Sequence, residues 1–145
     1  MASIVLIDDD DDIRETMADL LSIEGHDVRA ARNGVEGLRA LDDGFPQLVV
    51  TDVEMPVLDG RAMVFRMFVE NLGRENIPVI LVSGTPDLSE VAAALGTPYY
   101  LAKPFSLDAL TATVDRALAE AIPPRPPGLL GQPRAPAAAA PGGVR

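Results

Sequence analysis

The sequence predicts an α/β domain built on a parallel β-sheet with helices on both faces. Short apolar runs alternate with amphipathic segments through residues 1–122, and this alternation is typical of βα units that wind a parallel sheet. Several of the runs are continuous in Val, Ile and Leu, as strands buried on both faces are. Polar residues follow four of them, at the edge where open parallel sheets bind ligands. We therefore expect five strands, five helices and one site.

The predicted strands are short and separated by helices with recognisable ends. The strands comprise residues 3–7, 28–30, 48–51, 78–82 and 99–102. The first helix follows five consecutive aspartates, Asp8–Asp12, whose later members suit a helix N-terminus, and it stops at Gly25. The second begins at Asn33, and the third extends from about Gly60 to Asn71.

The last two helices are also predicted from their start and stop signals. Thr85 is expected to cap the fourth helix, with Pro86 at its first position. The fourth helix is expected to span Asp87 to Leu95 and to stop at Gly96, and Ser106 caps the fifth helix.

Composition and charge exclude several classes of protein. There is no cysteine, which excludes disulfides, thiol catalysis and thiolate metal sites. No long apolar run and no secretory signal are present, so we expect no membrane partner and a cytoplasmic location. Residues 1–122 contain nine basic and all 22 acidic residues, a net charge of −13 that repels phosphates. We therefore expect no nucleic-acid partner.

The last part of the chain differs in composition from the rest. Residues 123–145 are rich in Pro, Ala and Gly and contain three arginines but no acidic residue. Such a segment cannot build a hydrophobic core. We expect one domain over residues 1–122 and a disordered tail over 123–145.

The polar residues at the strand ends form a candidate site. Asp8 and Asp9 follow the first strand, Asp52 the third, Ser83 the fourth and Lys103 the fifth. Parallel strands lie about 4.8 Å apart, so these side chains converge. Three close carboxylates repel one another unless one is protonated or a cation binds them. Oxygen ligands without His or Cys favour Mg²⁺.

Lys103 is the only lysine in a chain with 11 arginines. Biased codon usage alone is one explanation. A compact ammonium group beside a metal and the Ser83 hydroxyl would also stabilise the oxygens of a phosphoryl group, and an aspartate is a known phosphoryl acceptor. The alternative is an inert salt bridge between Lys103 and an aspartate, which the four polar strand ends make less favoured.

Residues 3–121 resemble the receiver domain of bacterial two-component response regulators. Each matching segment is common alone, but four in this order and spacing are specific. The segments are Ile7–Asp10, Asp52–Pro56 with Asp59-Gly60, Ser83-Gly84, and Tyr100–Phe105.

The resemblance implies a flavodoxin-like sheet of order 2-1-3-4-5 and a phosphoryl-accepting Asp52. It implies that Mg²⁺ is held by Asp9, Asp52 and the backbone carbonyl of Glu54, with Asp8 acting through water. The bond between Lys103 and Pro104 is expected to be cis.

The resemblance also implies a switch. Ser83 is expected to move toward the phosphoryl group and Tyr100 to turn inward, which changes the surface of the fourth helix, fifth strand and fifth helix. The extra charge of Glu54 is expected to affect an attacking water or a phosphatase, in a direction left open.

The expected function is that of a stand-alone receiver. A histidine kinase or phosphotransfer protein phosphorylates it, and an output protein binds the altered surface. The chain is expected to catalyse only its own phosphorylation and dephosphorylation. Two alternatives are a phosphorylation-independent scaffold and a Mg²⁺-dependent aspartyl-phosphate phosphatase. The phosphatase is disfavoured because such enzymes usually need a cap domain and a second acid, and we find neither space for the cap nor a general-acid His.

Overall fold

The described residues form a five-stranded sheet. A computed structural model describes residues 2–70 and 72–127. The strands are β1 (Ser3–Ile7), β2 (Asp27–Ala31), β3 (Leu48–Asp52), β4 (Val79–Ser83) and β5 (Tyr99–Ala102). All neighbouring strands are parallel, and their order is β2-β1-β3-β4-β5. The predicted doubly wound α/β fold of order 2-1-3-4-5 is therefore confirmed.

The described ranges contain five α-helices, of which four connect successive strands and the fifth follows β5. They are α1 (Asp11–Ile23), α2 (Gly34–Asp42), α3 (Gly60–Glu70), α4 (Leu88–Leu95) and α5 (Leu107–Glu120), and one turn of 3₁₀ helix spans Arg74–Asn76. Three begin at the predicted caps, because the side chains of Asp10, Asn33 and Ser106 accept backbone N–H bonds from the first turn. None of the described helices is long and apolar enough to cross a membrane.

The predicted Thr85 cap of the fourth helix was wrong, although the expected span of Asp87 to Leu95 differs from the observed helix by one residue. α4 begins at Leu88 with Asp87 at its N-cap, so Thr85 and Pro86 lie before the helix. The backbone N–H of Thr85 donates to Ser83 Oγ at 3.0 Å, and its hydroxyl bonds to the Asp87 carboxylate. Thr85 therefore belongs to a turn that follows β4, where it is bonded to Ser83 and Asp87 and not to the first turn of α4.

Apolar side chains fill both faces of the sheet. Helices α2, α3 and α4 cover one face, and α1 and α5 cover the other. Every residue of β3 and β4 is buried. Close packing on both sides fixes the carboxyl ends of these two central strands, and the residues that follow them are held in place by the same core.

The segment expected to begin a disordered tail starts with residues packed on the body. Pro124 and Pro126 are buried, and the N–H of Arg125 donates to the carbonyl of Gly96 at 3.1 Å. A Cβ atom on Gly96 would lie 1.9 Å from the Arg125 carbonyl oxygen. The packed part of the chain thus extends past the predicted boundary, while 128–145, most of the expected tail, lies outside the described residues.

Candidate metal and phosphoryl site

Three aspartates meet at the carboxyl edge of the sheet. Asp8 and Asp9 directly follow β1, and Asp52 is the last residue of β3. One carboxylate oxygen from each lies within 4.8 Å of the other two. Asp8 is fully buried, Asp52 is 6% exposed and Asp9 is exposed. The structure therefore brings together the three carboxylates that the sequence predicted to converge.

Backbone bonds orient the two buried carboxylates. Asp8 Oδ1 accepts the N–H of Asp10 at 2.9 Å, and Asp52 Oδ1 accepts the N–H of Val53 at 2.8 Å. The Arg14 guanidinium donates to the carbonyl of Asp8 at 2.8 Å and holds the backbone of this turn. Each buried aspartate thus uses one oxygen locally and presents the other to the site.

Lys103 joins the two buried aspartates. Its Nζ donates to Asp8 Oδ2 at 2.9 Å and to Asp52 Oδ2 at 3.4 Å. Its backbone N–H donates to the carbonyl of Ser83 at 2.9 Å, and the Lys103–Pro104 bond is cis, as predicted. Burial by itself lowers the pKa of the Lys103 ammonium, but the hydrogen bond and charge of Asp8, helped by Asp52, outweigh burial and raise this pKa.

Burial and a neighbouring carboxylate together disfavour the ionised form of Asp52. Burial, and then the charge of Asp8, raise the pKa of Asp52 to about 6, although Lys103 acts in the opposite direction. A divalent cation would relieve this repulsion. The site offers closely spaced hard oxygen ligands and excess negative charge, which is the donor set that Mg²⁺ binds, so the residues fit this ion.

The loop from β3 to α3 is held tightly against Asp52. A Cβ atom on Gly60 would lie 2.3 Å from the Asp52 carbonyl oxygen, so only glycine fits there. The N–H of Gly60 donates to the carbonyl of Val53 at 2.8 Å. Val57, at the exposed tip, has φ of 72°, a conformation that is strained for a β-branched residue. The loop that carries Glu54 is therefore held against the end of β3, with some backbone strain at Val57.

Ser83 contacts the side chain of Glu54. Ser83 is fully buried at the end of β4, and its Oγ donates to Glu54 Oε1 at 3.1 Å. Glu54 itself is exposed. The sequence predicted a role for the Glu54 backbone carbonyl and for its charge, but missed this contact, because it depends on the path of the loop that follows β3.

Tyr100 lies apart from the acidic cluster. It occupies β5 with its side chain 45% exposed. The preceding residue, Tyr99, is fully buried, since successive residues of a strand face opposite sides of the sheet. The structure therefore brings together Asp8, Asp9, Asp52 and Lys103, with Ser83 beside Glu54, and leaves Tyr100 at the surface.

This fold and site define a signalling domain of a known family. Residues 4–115 match the response regulator receiver domain family, and the chain belongs to it. Receiver domains of two-component systems undergo phosphorylation, bind Mg²⁺ at an acidic pocket, and interact with histidine kinases and output domains. They are generally signalling domains and not enzymes.

Named relatives agree with this assignment. The chain is 34% identical over 126 residues to the response regulator MprA of Mycobacterium sp. strain KMS, a match that covers 86% of this chain and 54% of MprA. It is 33% identical over 117 residues to the C4-dicarboxylate transport transcriptional regulatory protein DctD of Rhizobium meliloti, covering 79% of this chain and 25% of DctD. The chain thus spans about half of MprA and a quarter of DctD.

A solved receiver domain has the same fold. The receiver domain of NtrX from Brucella abortus superimposes with a TM-score of 0.72 and 33% sequence identity. The match covers 80% of this chain and 98% of that domain. The similarity therefore concerns the receiver domain as a unit.

Proposed function

We propose that this chain accepts a phosphoryl group on Asp52 from a histidine kinase or phosphotransfer protein. The observation that supports this most strongly is the position of the Asp52 carboxylate, which is buried, shares a metal-competent cluster with Asp8 and Asp9, and lies 3.4 Å from the Lys103 ammonium. A nucleophile, a cation site and a fixed positive charge are the parts that phosphoryl transfer needs.

Asp52 is the nucleophile in this proposal. With a pKa of about 6, its carboxylate is mostly ionised at neutral pH. One of its oxygens attacks the phosphorus of a phosphohistidine, the P–N bond breaks, and the electron pair returns to the imidazole. The products are an acyl phosphate on Asp52 and a free histidine. Lys103 stabilises the charge on the phosphoryl oxygens through its ammonium.

The acidic cluster supplies the metal ligands. Asp9, Asp52 and the backbone carbonyl of Glu54 would hold Mg²⁺, with Asp8 acting through water. Mg²⁺ held by these residues would supply positive charge to the oxygens of the transferred group. The chain's own catalysis is limited in this proposal to gaining and losing its phosphoryl group.

The output is a change of surface. Ser83 moves toward the phosphoryl group, and exposed Tyr100 turns inward, which alters the face formed by α4, β5 and α5. An output protein binds this face. Because the body has a net charge of −13, we propose that its partner is protein and not nucleic acid. The stand-alone character and the cytoplasmic location stay predictions.

Labelling with acetyl phosphate tests this proposal. The parent should acquire a hydroxylamine-sensitive acyl phosphate that requires Mg²⁺, whereas Asp52→Asn should acquire none. Asp12→Asn is a matched control, because Asp12 belongs to the same acidic run but is exposed at the start of α1, and it should be labelled like the parent. Equal labelling of Asp52→Asn and the parent would show that Asp52 is not the acceptor.

A further inference from the structure

The proposed switch hydroxyl already has an acceptor. Ser83 Oγ donates to Glu54 Oε1 at 3.1 Å and accepts the Thr85 N–H at 3.0 Å. A serine hydroxyl carries a single proton to donate. While that proton is directed at Glu54, it is not available to a phosphoryl oxygen on Asp52.

The strand register explains why Glu54 reaches this hydroxyl. Asp52 is opposite Val82 in the β3–β4 pair, so Ser83 lies one residue further toward the site. Glu54 lies two residues past Asp52, at the start of a loop held by the close contact at Gly60. The Glu54 side chain is thereby directed toward Ser83 at the end of β4.

We propose that Glu54 is a positioning residue that competes with the phosphoryl group for the Ser83 hydroxyl. This inference rests on the proposed function. A carboxylate oxygen is an anionic acceptor of the same kind as a phosphoryl oxygen, and charged acceptors bind hydroxyl donors strongly. The Glu54–Ser83 hydrogen bond therefore stabilises the unphosphorylated arrangement and must break when Ser83 turns to the phosphoryl group.

Exposure of Glu54 makes this bond reversible. Because Glu54 is exposed, its carboxylate regains water when it leaves Ser83, and only a modest net free energy separates the two arrangements. Removal of the Glu54 carboxylate should shift the equilibrium toward the arrangement in which Ser83 faces Asp52. The gain should depend on the presence of the Ser83 hydroxyl.

Simple charge repulsion between Glu54 and the phosphoryl group makes a different prediction. Repulsion would be relieved equally by Glu54→Ala and Glu54→Gln, and it would not require Ser83. Competition for the Ser83 hydroxyl, by contrast, requires Ser83. It should persist in part in Glu54→Gln, because the glutamine carbonyl still accepts a hydrogen bond from Ser83. The two explanations therefore separate in a double-mutant cycle.

The test uses the full 145-residue chain with saturating Mg²⁺ and beryllium fluoride as the phosphoryl analogue. The affinity of each protein for beryllium fluoride is measured by ¹⁹F NMR. The proteins are the parent, Glu54→Ala, Ser83→Ala, the double variant and Glu54→Gln. Asp19→Ala is the control, because Asp19 is an exposed acid of α1, outside the face formed by α4, β5 and α5, and its removal should leave the affinity unchanged.

We expect Glu54→Ala to tighten binding about threefold to tenfold when Ser83 is present and less than about twofold in the Ser83→Ala background. Glu54→Gln should give a smaller gain than Glu54→Ala. Equal gains in both backgrounds, or equal gains for Ala and Gln, would overturn the inference. If the parent itself does not bind beryllium fluoride, the proposed function fails, which is distinguishable from binding that lacks this coupling.

Discussion

The two ends of the sheet contain buried polar groups in different electrostatic states. At the amino end, the buried Tyr99 hydroxyl donates to the Glu120 carboxylate at 3.1 Å and accepts the N–H of Ile122 at 3.2 Å. Beside it, Thr97 Oγ1 donates to the carbonyl of Val79. Each of these hydroxyls donates to an acceptor. Neither hydrogen bond brings two like charges together.

At the carboxyl end, by contrast, charge is left uncompensated. Three carboxylates face one ammonium group, and the pKa of Asp52 rises to about 6. A satisfied polar network stabilises a fold, whereas an unbalanced one lowers stability until a ligand completes it. The comparison indicates that the amino end serves stability and the carboxyl end serves binding, and the following predictions test that division.

The largest effect is expected from Lys103→Met in Mg²⁺-free buffer at pH 7. Loss of the ammonium leaves fully buried Asp8 beside Asp52 with no cation, so the free energy of unfolding should fall by about 2–3 kcal/mol. Urea unfolding measures this change. Lys103→Arg, which keeps the charge but replaces a compact ammonium with a planar fork, should lose less stability and should accept phosphate without switching. A Lys103→Met protein as stable as the parent would show that repulsion between the carboxylates at the carboxyl end does not lower the free energy of unfolding.

Asp52→Asn should stabilise the Mg²⁺-free protein. The folded pKa of about 6 lies above the ordinary value of 3.8, so between these values the native state binds more protons than the unfolded state. The stability of the parent should therefore fall as pH rises from about 4 through 6. At pH 7 the variant should be more stable by about 1–2 kcal/mol after screening by solvent, and its profile should lack this decline. Parallel profiles of parent and variant, measured by urea unfolding, would contradict the uncompensated charge.

A smaller effect is expected at the amino end from removal of residues 122–127. Two chains are compared, one ending at Pro127 and one at Ala121, so that only the packed segment differs. The shorter chain loses the bond from Ile122 to Tyr99 and that from Arg125 to Gly96. Its free energy of unfolding should be lower by about 1 kcal/mol, with unchanged affinity for beryllium fluoride. Identical melting temperatures would mean that this packing does not contribute to stability.

The smallest effect is expected from Val57→Asn. Asparagine tolerates positive φ better than a β-branched residue does, and Val57 is 80% exposed. Relief of the strain should raise the free energy of unfolding by about 0.5 kcal/mol. A decrease on thermal unfolding would show that the loop after β3 is not strained at this position.

The sequence predicted those parts of the site that depend on strand position. Asp8, Asp9, Asp52 and Lys103 meet because each directly follows or ends a strand, and the strand order brings those ends together. Apolar periodicity and strand-end residues carry that information.

Contacts made by loops were not predictable in the same way. Thr85 has the chemistry of a helix cap, but its N–H bonds to Ser83. The contact from Glu54 to Ser83 depends on the loop path, which the packing of Gly60 against Asp52 determines. The bond from Arg125 to Gly96 depends on the shape of the loop between α4 and β5. Each of these features follows from tertiary contacts and has no local sequence signal.

The central claim is that the uncompensated carboxyl end exists to receive a phosphoryl group on Asp52. Chemical trapping tests it most directly in the unmodified sequence. The parent is phosphorylated by acetyl phosphate with Mg²⁺ and then reduced with borohydride, which converts an aspartyl phosphate into homoserine. Peptide mass spectrometry then locates the homoserine in the sequence. We predict homoserine at position 52 and at no other aspartate. Homoserine at Asp8 or Asp9, or none at all after Mg²⁺-dependent labelling, would contradict the account.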